Sequence, residues 1–375
     1  MKRLFLLLEK WLVPIALLIW GMEIVFLAFQ LGVKEGADTY LYLRFAQNGT
    51  FGDAYVDAHY QWYRSYTLFL SLFYKAGLGW VWAITTQIIL ASSSLWALYD
   101  LAKRVGSQKA ASWGLLLYVL WYDSHVWHFY LYSDSLFSSC SIWCLWACCR
   151  AKQTMHLLYV LPLVIFTLFI RPPGIVLPLI YAVAFLGSLP MAKWIKVGIA
   201  ILCLGVCAFL VQHMLPTFEL METYRKGEVI YSYPAWNILP DASVVVPDEE
   251  NSLPNLLWFV GHHPLYFFKL VLNKTVAFLV HAKPYYSWTH NMYIVLLLFP
   301  CYGLFVKGWK EWKDKEARWL LLGWCLGQTV IVALTIEDWD GRFLLPIVPY
   351  VFMGATIGIQ TSLEKQRSRV ESALI

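Results

Sequence analysis

Residues 12–32 read LVPIALLIWGMEIVFLAFQLG, and residues 36–47 follow closely as GADTYLYLRFAQ. An apolar run of about 18–20 residues is long enough to cross a bilayer as a helix. No cleavage site of the A-x-A type follows the run, so we interpret it as a retained membrane helix. Asp38 then stands where the chain leaves the membrane, in an aromatic-rich helical segment. The stretch predicts a membrane protein and raises the question whether Asp38 is a surface charge or a catalytic group.

The composition supports a membrane protein. Fifty-nine per cent of the residues are hydrophobic and 14% are charged, whereas soluble domains carry about 25% charged residues. Trp, Tyr and Phe make up 17% of the chain, and many lie near the ends of apolar runs, as aromatic anchors at membrane interfaces do. The net charge of +5 comes from short basic clusters between apolar runs, which does not suggest a nucleic-acid binder. We predict an all-α polytopic membrane protein with a single domain over residues 1–375.

The apolar runs predict ten membrane helices. They lie near residues 12–32, 80–101, 110–129, 134–150, 156–171, 174–189, 193–213, 290–307, 317–335 and 343–360. With ten helices the basic clusters all fall on one side, which the positive-inside rule makes cytoplasmic. We therefore expect both termini in the cytoplasm and a multi-pass protein of a bacterial inner (plasma) membrane.

Two further apolar segments, 66–76 and 264–282, do not fit this alternation. We interpret both as interfacial or re-entrant helices. Two long segments, 33–79 and 214–289, then lie on the outer face, whereas the inner loops are short and basic. Any chemistry is expected on the outer face.

The eight cysteines lie in apolar runs and form neither a disulfide nor a zinc pattern. Cys140, Cys144 and Cys148 are spaced i, i+4, i+8 and share one face of a predicted helix. We interpret them as small residues that pack between helices.

The first outer segment contains several candidate site residues. Asp38 and Tyr42 are four residues apart and share a helix face. Arg64 follows in the aromatic-rich stretch DAYVDAHYQWYRSYTLFL, which also holds Asp53 and Asp57. We interpret those two acids as part of a solvated loop.

Further candidates lie at the outer ends of later helices. Asp134 in YSDSLF is either the N-cap of a helix or a functional acid. Arg171 precedes Pro-Pro-Gly, where the helix dipole favours a cation and where a lipid phosphate can bind. His263 and Lys274 belong to a cation-rich outer segment that would attract an anionic headgroup; the adjacent pair His262-His263 lacks the spacing of a zinc ligand set.

The last outer turn, TIEDWDGRF, carries Glu337, Asp338, Asp340 and Arg342 between two apolar helices. Charges in such a place are costly unless they pair or bind something. Either an internal Asp–Arg pair or a D-x-D site for a divalent ion would explain them.

The order of these motifs resembles the GT-C glycosyltransferases, multi-pass enzymes that use lipid-phosphate-linked sugars. The matching stretches are GADTYLYLRFAQ, YRSYTLFLSLFYKAGLG, YSDSLF, FIRPPGIVLP and DGRFLLPIVP. The bacterial branch similar to protein mannosyltransferases and aminoarabinose transferases resembles the chain most. The resemblance implies that Asp38 is the catalytic base and that Arg342 contacts the donor phosphate.

This chain departs from the GT-C pattern in three ways. The usual Arg-Tyr pair is Arg342-Phe343 here, and no second acid stands directly beside Asp38. A paired-carboxylate metal site is therefore not evident, and we expect no required cofactor. We also expect no separate soluble C-terminal domain, which would leave acceptor recognition to the outer loops.

A transferase on the outer face has no supply of nucleotide sugars, which stay in the cytoplasm. Its donor is expected to be a polyprenyl-phosphate sugar, and its acceptor a glycan, lipid or protein. Arg342, Arg171 and Lys274 are candidates to neutralise the leaving phosphate, and Asp38 to deprotonate the acceptor, with inversion at the sugar. The candidates for substrate binding are Tyr42, Arg64, Asp134, His263 and Asp340.

Two other classes of protein stay open. An O-antigen ligase or polymerase also uses lipid-linked glycans, but it lacks an acidic helix directly after the first membrane helix. A lipid or glycan transporter would carry charges at mid-helix positions and internal repeats. The predicted helices have few central charges, and no repeat is evident.

Overall fold

The computed structural model describes residues 2–48, 58–151, 154–188, 192–247 and 251–373. Within these ranges the regular structure is helical, and the β-type contacts are two isolated parallel bridges, Lys34 to Tyr130 and Ile230 to Glu337. The prediction of an all-α polytopic membrane protein is confirmed. Asp53 and Asp57 lie outside the described ranges.

Sixteen α-helices occur in these ranges, joined by loops and short 3-10 turns. They are α1 Lys2–Leu31, α2 Thr39–Asn48, α3 Arg64–Lys75, α4 Trp80–Val105, α5 Gln108–Val119, α6 Tyr122–Val126, α7 Ser133–Arg150, α8 Leu157–Leu168, α9 Val176–Ser188, α10 Lys193–Met214, α11 Leu220–Arg225, α12 Leu253–His262, α13 Pro264–Val280, α14 Trp288–Gly308, α15 Lys315–Leu334 and α16 Val348–Ala373.

Five helical stretches are long and apolar enough to cross a membrane, and each overlaps a predicted span. They are Lys10–Leu31, Trp80–Val105, Lys193–Thr217, Trp288–Glu311 and Lys315–Leu334. Two shorter apolar helices, Leu158–Leu168 and Pro172–Val183, coincide with the predicted spans 156–171 and 174–189. The segments 66–76 and 264–282 are helical, as α3 and α13, and neither is among the five long stretches.

The prediction of one continuous helix over 110–129 is wrong. Helix α5 stops at Val119, and the short helix α6 and a 3-10 turn, Trp127–Phe129, follow it. Three buried or partly buried polar side chains explain the break, because each has a partner on a different helix. Asp123 contacts α14, His125 contacts α1 and His128 contacts α7. Buried polar groups need such partners, and the broken backbone lets the three side chains reach them.

The last predicted span, 343–360, begins later than expected. Arg342–Leu344 form a 3-10 turn and α16 starts at Val348. Pro349 then occupies the first turn of the helix, where its missing N–H group is not needed. Residues 342–347 are thereby freed from the helix and form part of the outer turn.

The main core runs through the helical bundle, and its tightest contact joins α14 to α16. Gly308 and Gly358 allow this approach: a Cβ on Gly308 would lie 2.5 Å from the Gly358 nitrogen, and a Cβ on Gly358 would lie 2.1 Å from the Leu304 oxygen. Small residues commonly let membrane helices pack this closely. The interface fixes the position of α16, which begins six residues after Arg342, at Val348.

A second, smaller core belongs to the outer segment between α10 and α14. Tyr224, Phe259, Leu270 and Ala277 are buried in it, from α11, α12 and α13. In contrast, α10 has no buried side chain. The second outer segment, named for its predicted side, is thus a folded unit with apolar side chains of its own, and the Tyr224 hydroxyl joins it to the C-terminal end of α15 at Leu334.

Candidate active site

Arg342 lies at the centre of a cluster of four carboxylates. Its Nε is 2.6 Å from Asp338 Oδ2 and 3.6 Å from Asp340 Oδ1. Its Nη2 is 3.7 Å from Asp38 Oδ2, and its Nη1 is 3.6 Å from Asp134 Oδ2. The structure thus brings Asp38 and Arg342 together from opposite ends of the chain.

Asp38 is held in place by its neighbours in the GADTYL stretch. Its backbone N–H donates to the Tyr132 hydroxyl at 3.3 Å, and its carbonyl accepts from the first turn of α2. Gly36 makes this approach possible, because a Cβ there would lie 2.2 Å from the Tyr132 hydroxyl oxygen. Lys34 exchanges backbone hydrogen bonds with Phe129 and Leu131. The segment that precedes Asp38 is therefore tied to the segment that precedes Asp134.

Asp134 does not serve as a helix N-cap. Tyr132 occupies the cap position of α7 without a side-chain cap bond, and the Asp134 carboxylate instead pairs with Arg171 and faces Arg342. Asp134 and Arg171 are both buried. A buried carboxylate is tolerated when cations compensate it, and here two guanidiniums do so.

Arg171 also differs from its predicted position at a helix C-terminus. Helix α8 ends at Leu168, and Arg171 is extended, directly before the 3-10 turn Pro172–Ile175. Its guanidinium stacks 4.7 Å from the centre of the Phe343 ring. Phe343 directly follows Arg342, so this contact links Arg171 to the turn that carries Arg342.

The outer nitrogens of the Arg342 guanidinium are only loosely engaged. Nη1 and Nη2 lie 3.6 and 3.7 Å from their carboxylate partners, beyond the usual length of a hydrogen bond. The three side chains also differ in solvent exposure. Asp134 is 2% exposed, Arg342 is 14% exposed and Asp38 is 36% exposed. The fork of Arg342 therefore lies beside the partly exposed carboxylate of Asp38, where an anion or a water can bridge to it.

The cluster holds four carboxylates and two guanidiniums, those of Arg171 and Arg342. The excess of negative charge affects the pKa values of its members. Burial and then the charge of Asp338 raise the pKa of Asp340 to about 7. Burial alone would lower the pKa of Arg342, but Asp338 and Asp340 raise it above its ordinary value. Arg342 is therefore a permanent cation, whereas Asp340 is the acid that most readily takes up a proton near neutral pH.

Aromatic rings form the wall around Arg342. Its guanidinium lies 4.7 Å from the centre of the Tyr132 ring and 5.7 Å from that of Trp127. Tyr42 is buried and packs against Tyr132, with ring centres 6.3 Å apart. Burial, and then the neighbouring Tyr63 and Asp38, raise the pKa of the Tyr42 hydroxyl. Tyr42 thus lines the cluster as a neutral hydroxyl.

Other predicted site residues have their contacts elsewhere. Lys274 is fully buried; its ammonium donates to the Thr335 carbonyl and lies 4.6 Å from the Tyr224 ring centre. Burial lowers its pKa to about 7. His263 accepts a hydrogen bond from the backbone of Val245 at 3.1 Å. None of these contacts belongs to the Arg342 cluster.

Arg64 begins α3, close in the fold to the Arg171 turn. The N–H of Ser65 donates to the Phe169 carbonyl at 2.9 Å, which places the start of α3 two residues from Arg171. The start of α3, with Arg64, therefore lies beside the segment that carries Arg171.

Two polar groups near the site were missed by the sequence reasoning. His125 lies 3.0 Å from Glu23 of α1, inside a stretch that can cross the membrane. Asp123 lies 3.0 Å from His290 and 3.7 Å from His281. Burial would raise the pKa of Asp123, but hydrogen bonds from both histidines lower it to about 2. A charged residue within an apolar run was the available signal for Glu23.

The described residues contain no group of three or more His, Cys, Asp or Glu side chains arranged to hold a metal ion. In particular, the D-x-D carboxylates of Asp338 and Asp340 both face the Nε of Arg342. Of the two explanations for this turn, the internal Asp–Arg pair is the one present in the structure.

An apolar groove of about 770 Å³ lies elsewhere, between α9, α10 and the first half of α15. Glu316 and Trp319 line its end near the start of α15. Because Arg342 follows the opposite end of α15, this groove is separate from the Arg342 cluster.

Comparison with known proteins adds little to this picture. No family model matches the chain, and no curated protein matches it. Among solved structures, the chain is similar to a crystal structure of ArnT from Cupriavidus metallidurans in the apo state, with 12% sequence identity and a TM-score of 0.39. The match covers 97% of this chain and 62% of that chain, so the chain spans less than two thirds of that protein's length. A likeness at this level assigns neither a family nor an activity.

Proposed function

We propose that this protein is an integral-membrane glycosyltransferase that moves a sugar from a polyprenyl-phosphate donor to an acceptor outside the cytoplasm. The observation that carries the proposal is the 3.7 Å contact between Asp38 and Arg342, which places a carboxylate and a guanidinium fork in one partly open site. The sequence resemblance to GT-C enzymes points to the same two residues.

Asp38 is the proposed general base. It is the most exposed carboxylate of the four that face Arg342, so an acceptor hydroxyl can reach it from outside. In the reaction Asp38 takes the hydroxyl proton, the acceptor oxygen bonds to the anomeric carbon, and the bond from that carbon to the phosphate oxygen breaks. A positioned base typically contributes about 10²–10⁴-fold to such a step.

Arg342 is the proposed partner of the departing phosphate. Its Nη1 and Nη2 atoms form a planar fork that suits two phosphate oxygens, and their present contacts to Asp134 and Asp38 are long. Arg171 supports this role indirectly, because it pairs with Asp134 and so reduces by one the carboxylates that compete with a phosphate for Arg342. We also propose that Tyr42 and Asp340 contact the sugar or its phosphate, since both lie in this cluster.

The orientation in the membrane is part of the proposal. The clusters of Lys and Arg between the predicted spans favour cytoplasmic termini, which places Asp38 and Arg342 on the extracytoplasmic side. We further propose that the bundle binds the polyprenyl chain of the donor within the bilayer, which is where such a lipid resides.

Mass spectrometry of the purified protein in lipid nanodiscs tests this function. We expect a co-purified polyprenyl phosphate, with or without its sugar, and release of that sugar to an acceptor fraction from the same cells. A different activity is indicated if little polyprenyl phosphate co-purifies, if Arg342→Ala does not change that amount, and if no sugar is transferred. A whole glycan in place of a single sugar on the lipid would favour a ligase or polymerase.

The configuration at the anomeric carbon gives a second test. A single carboxylate that activates the acceptor implies direct displacement, so we expect the product to have the anomeric configuration opposite to that of the donor. Nuclear magnetic resonance coupling constants of the product and donor distinguish the two outcomes. A product with retained configuration contradicts the single-displacement mechanism.

Donor binding is expected to weaken as the pH rises through neutrality. The pKa of Asp340 is raised to about 7 by burial and Asp338, so Asp340 is mostly neutral below that pH and mostly charged above it. Its negative charge beside Arg342 opposes an incoming phosphate. Titration of undecaprenyl phosphate into nanodiscs measures the effect.

Asp340→Asn is the matched variant for this titration, since its side-chain oxygen can still accept from the Arg342 backbone N–H, now 3.2 Å from Asp340 Oδ1. Above neutral pH we expect it to bind more tightly than the wild type at the same pH, and below neutral pH about equally tightly. An unchanged pH dependence in Asp340→Asn means that another group controls binding.

A further inference from the structure

The outer turn that carries Arg342, residues 335–342, forms hydrogen bonds to the second outer segment at several positions. We call it the arginine turn. The Lys274 ammonium donates to the carbonyl of Thr335, and Tyr231 N–H donates to that of Glu337 at 2.8 Å. The Tyr285 hydroxyl donates to the Trp339 carbonyl. These contacts fix the backbone of the arginine turn.

One contact between the arginine turn and the second outer segment is a buried ion pair. Lys283 Nζ lies 3.0 Å from Glu337 Oε1, and both side chains have zero exposure. The same ammonium donates to the Ala277 carbonyl at 3.2 Å. The backbone of Lys283 is held in turn, because its N–H donates to the Asn291 side chain and its carbonyl accepts from that side chain. Both partners are therefore firmly placed.

A buried ion pair is a poor way to gain stability, because the desolvation of both charges offsets most of their attraction. Such pairs are better attested as devices that specify one arrangement. Glu337 stands next to Asp338, whose carboxylate binds Arg342 Nε at 2.6 Å. A shift of Glu337 would move Asp338, and with it the Arg342 fork.

We propose that Lys283 and Glu337 are positioning residues, which hold the arginine turn so that Arg342 faces the donor phosphate. This inference rests on the proposed function of Arg342. Neither residue touches the substrate in this account; both act through Asp338 and Arg342. The second outer segment, which supplies Lys283, thereby becomes part of the donor site.

The charge state of Glu337 gives the test. The titratable groups that face it are Lys283 from the segment after α13, Asp338 and Asp340 from its own turn, and Tyr285, Tyr286 and Tyr302 from the α13–α14 region. Burial raises the pKa of Glu337 to about 7, and Lys283 opposes that rise. Without Lys283 the pKa of Glu337 would be higher still, so its side chain would stay neutral to a higher pH. Above that pH Glu337 would be an unpaired buried charge.

The experiment measures binding of undecaprenyl phosphate to Lys283→Met in nanodiscs at a series of pH values, beside the wild type. Below neutral pH we expect weaker binding than in the wild type, since the Lys283 ammonium no longer holds Glu337. Above the raised pKa of Glu337 in this variant we expect a further loss of about ten- to hundredfold, since an unpaired charge in a former buried pair is strongly unfavourable. The double variant Lys283→Met/Glu337→Gln has no charge to leave unpaired and should lose this extra pH dependence. Lys226→Met removes an exposed lysine, 53% accessible, as a control.

The outcomes separate the two proposals. If Arg342→Ala binds the lipid as the wild type does, the proposed function fails. If Arg342→Ala binds weakly while Lys283→Met follows the wild type at every pH, only the positioning role is overturned. Should Lys283→Met not fold, the double variant decides: weaker binding by the folded double variant, independent of pH, supports the role, and binding as tight as that of the wild type contradicts it.

Discussion

Asp38→Asn is expected to abolish sugar transfer, with a fall in rate of about 10²–10⁴-fold, the usual contribution of a positioned general base. Asparagine keeps the size of the side chain but cannot accept the acceptor's proton. The backbone contacts of residue 38 to Tyr132 and α2 do not involve the carboxylate, so the fold should be unaffected. Transfer assays with purified protein, together with thermal unfolding, measure both effects.

Glu35→Gln is the matched control for Asp38→Asn. Glu35 is an exposed acid three residues upstream, so its replacement removes one negative charge from the same segment. We expect its rate to stay within about twofold of the wild type, as for most surface substitutions. A normal rate in Asp38→Asn would rule out Asp38 as the base, and an equal loss in both variants would point to the charge of the segment.

Arg342→Ala should weaken donor binding more than any other single substitution in the cluster. A hydrogen bond to a charged group contributes about 1.5–3 kcal/mol, so the loss of the Arg342 fork predicts a dissociation constant about ten- to 150-fold larger for undecaprenyl phosphate. The protein should also be less stable, because Asp338 and Asp340 lose the cation that faces them. Lipid titration and thermal unfolding of the same preparation separate the two effects.

Arg342→Lys and Arg225→Ala complete this comparison. Lysine keeps the charge but not the planar fork, so we expect it to bind the donor between the wild type and Arg342→Ala. Arg225 lies on the surface of the second outer segment and pairs with Glu222, so Arg225→Ala should bind normally. Donor affinity in Arg342→Ala equal to that of Arg225→Ala would remove Arg342 from the phosphate site.

Much of the cluster could be anticipated because membrane helices restrict where polar residues can lie. Asp38, Asp134, Arg171 and Arg342 each follow or precede an apolar run, and the apolar runs place all four at one face of the bundle. The structure brings these four together. Their selection used the order of the apolar runs and the predicted side of each loop, and the roles of Asp38 and Arg342 came from the resemblance to GT-C enzymes.

The sequence could not show which outer residues meet, because that depends on how the helices pack. Lys274 and Lys283 stand in the same basic segment, yet one contacts a carbonyl of the arginine turn and the other pairs with Glu337. The end of helix α5 at Val119 could not be predicted either, because it also depends on contacts between helices. The apolar run continues through Trp121, and only the partners of Asp123, His125 and His128 explain why the helix stops.

The convergence of Asp38, Asp134 and Arg342 also bears on how the protein is made. The ribosome delivers the two acids early and Arg342 near the end of the chain, after α15 is complete. Until then, among the described residues of this cluster, Asp134 has Arg171 as its cation and Asp38 lacks Arg342. The cluster therefore becomes whole only when the last helices have entered the membrane, so a half-inserted chain lacks the Asp38–Arg342 contact.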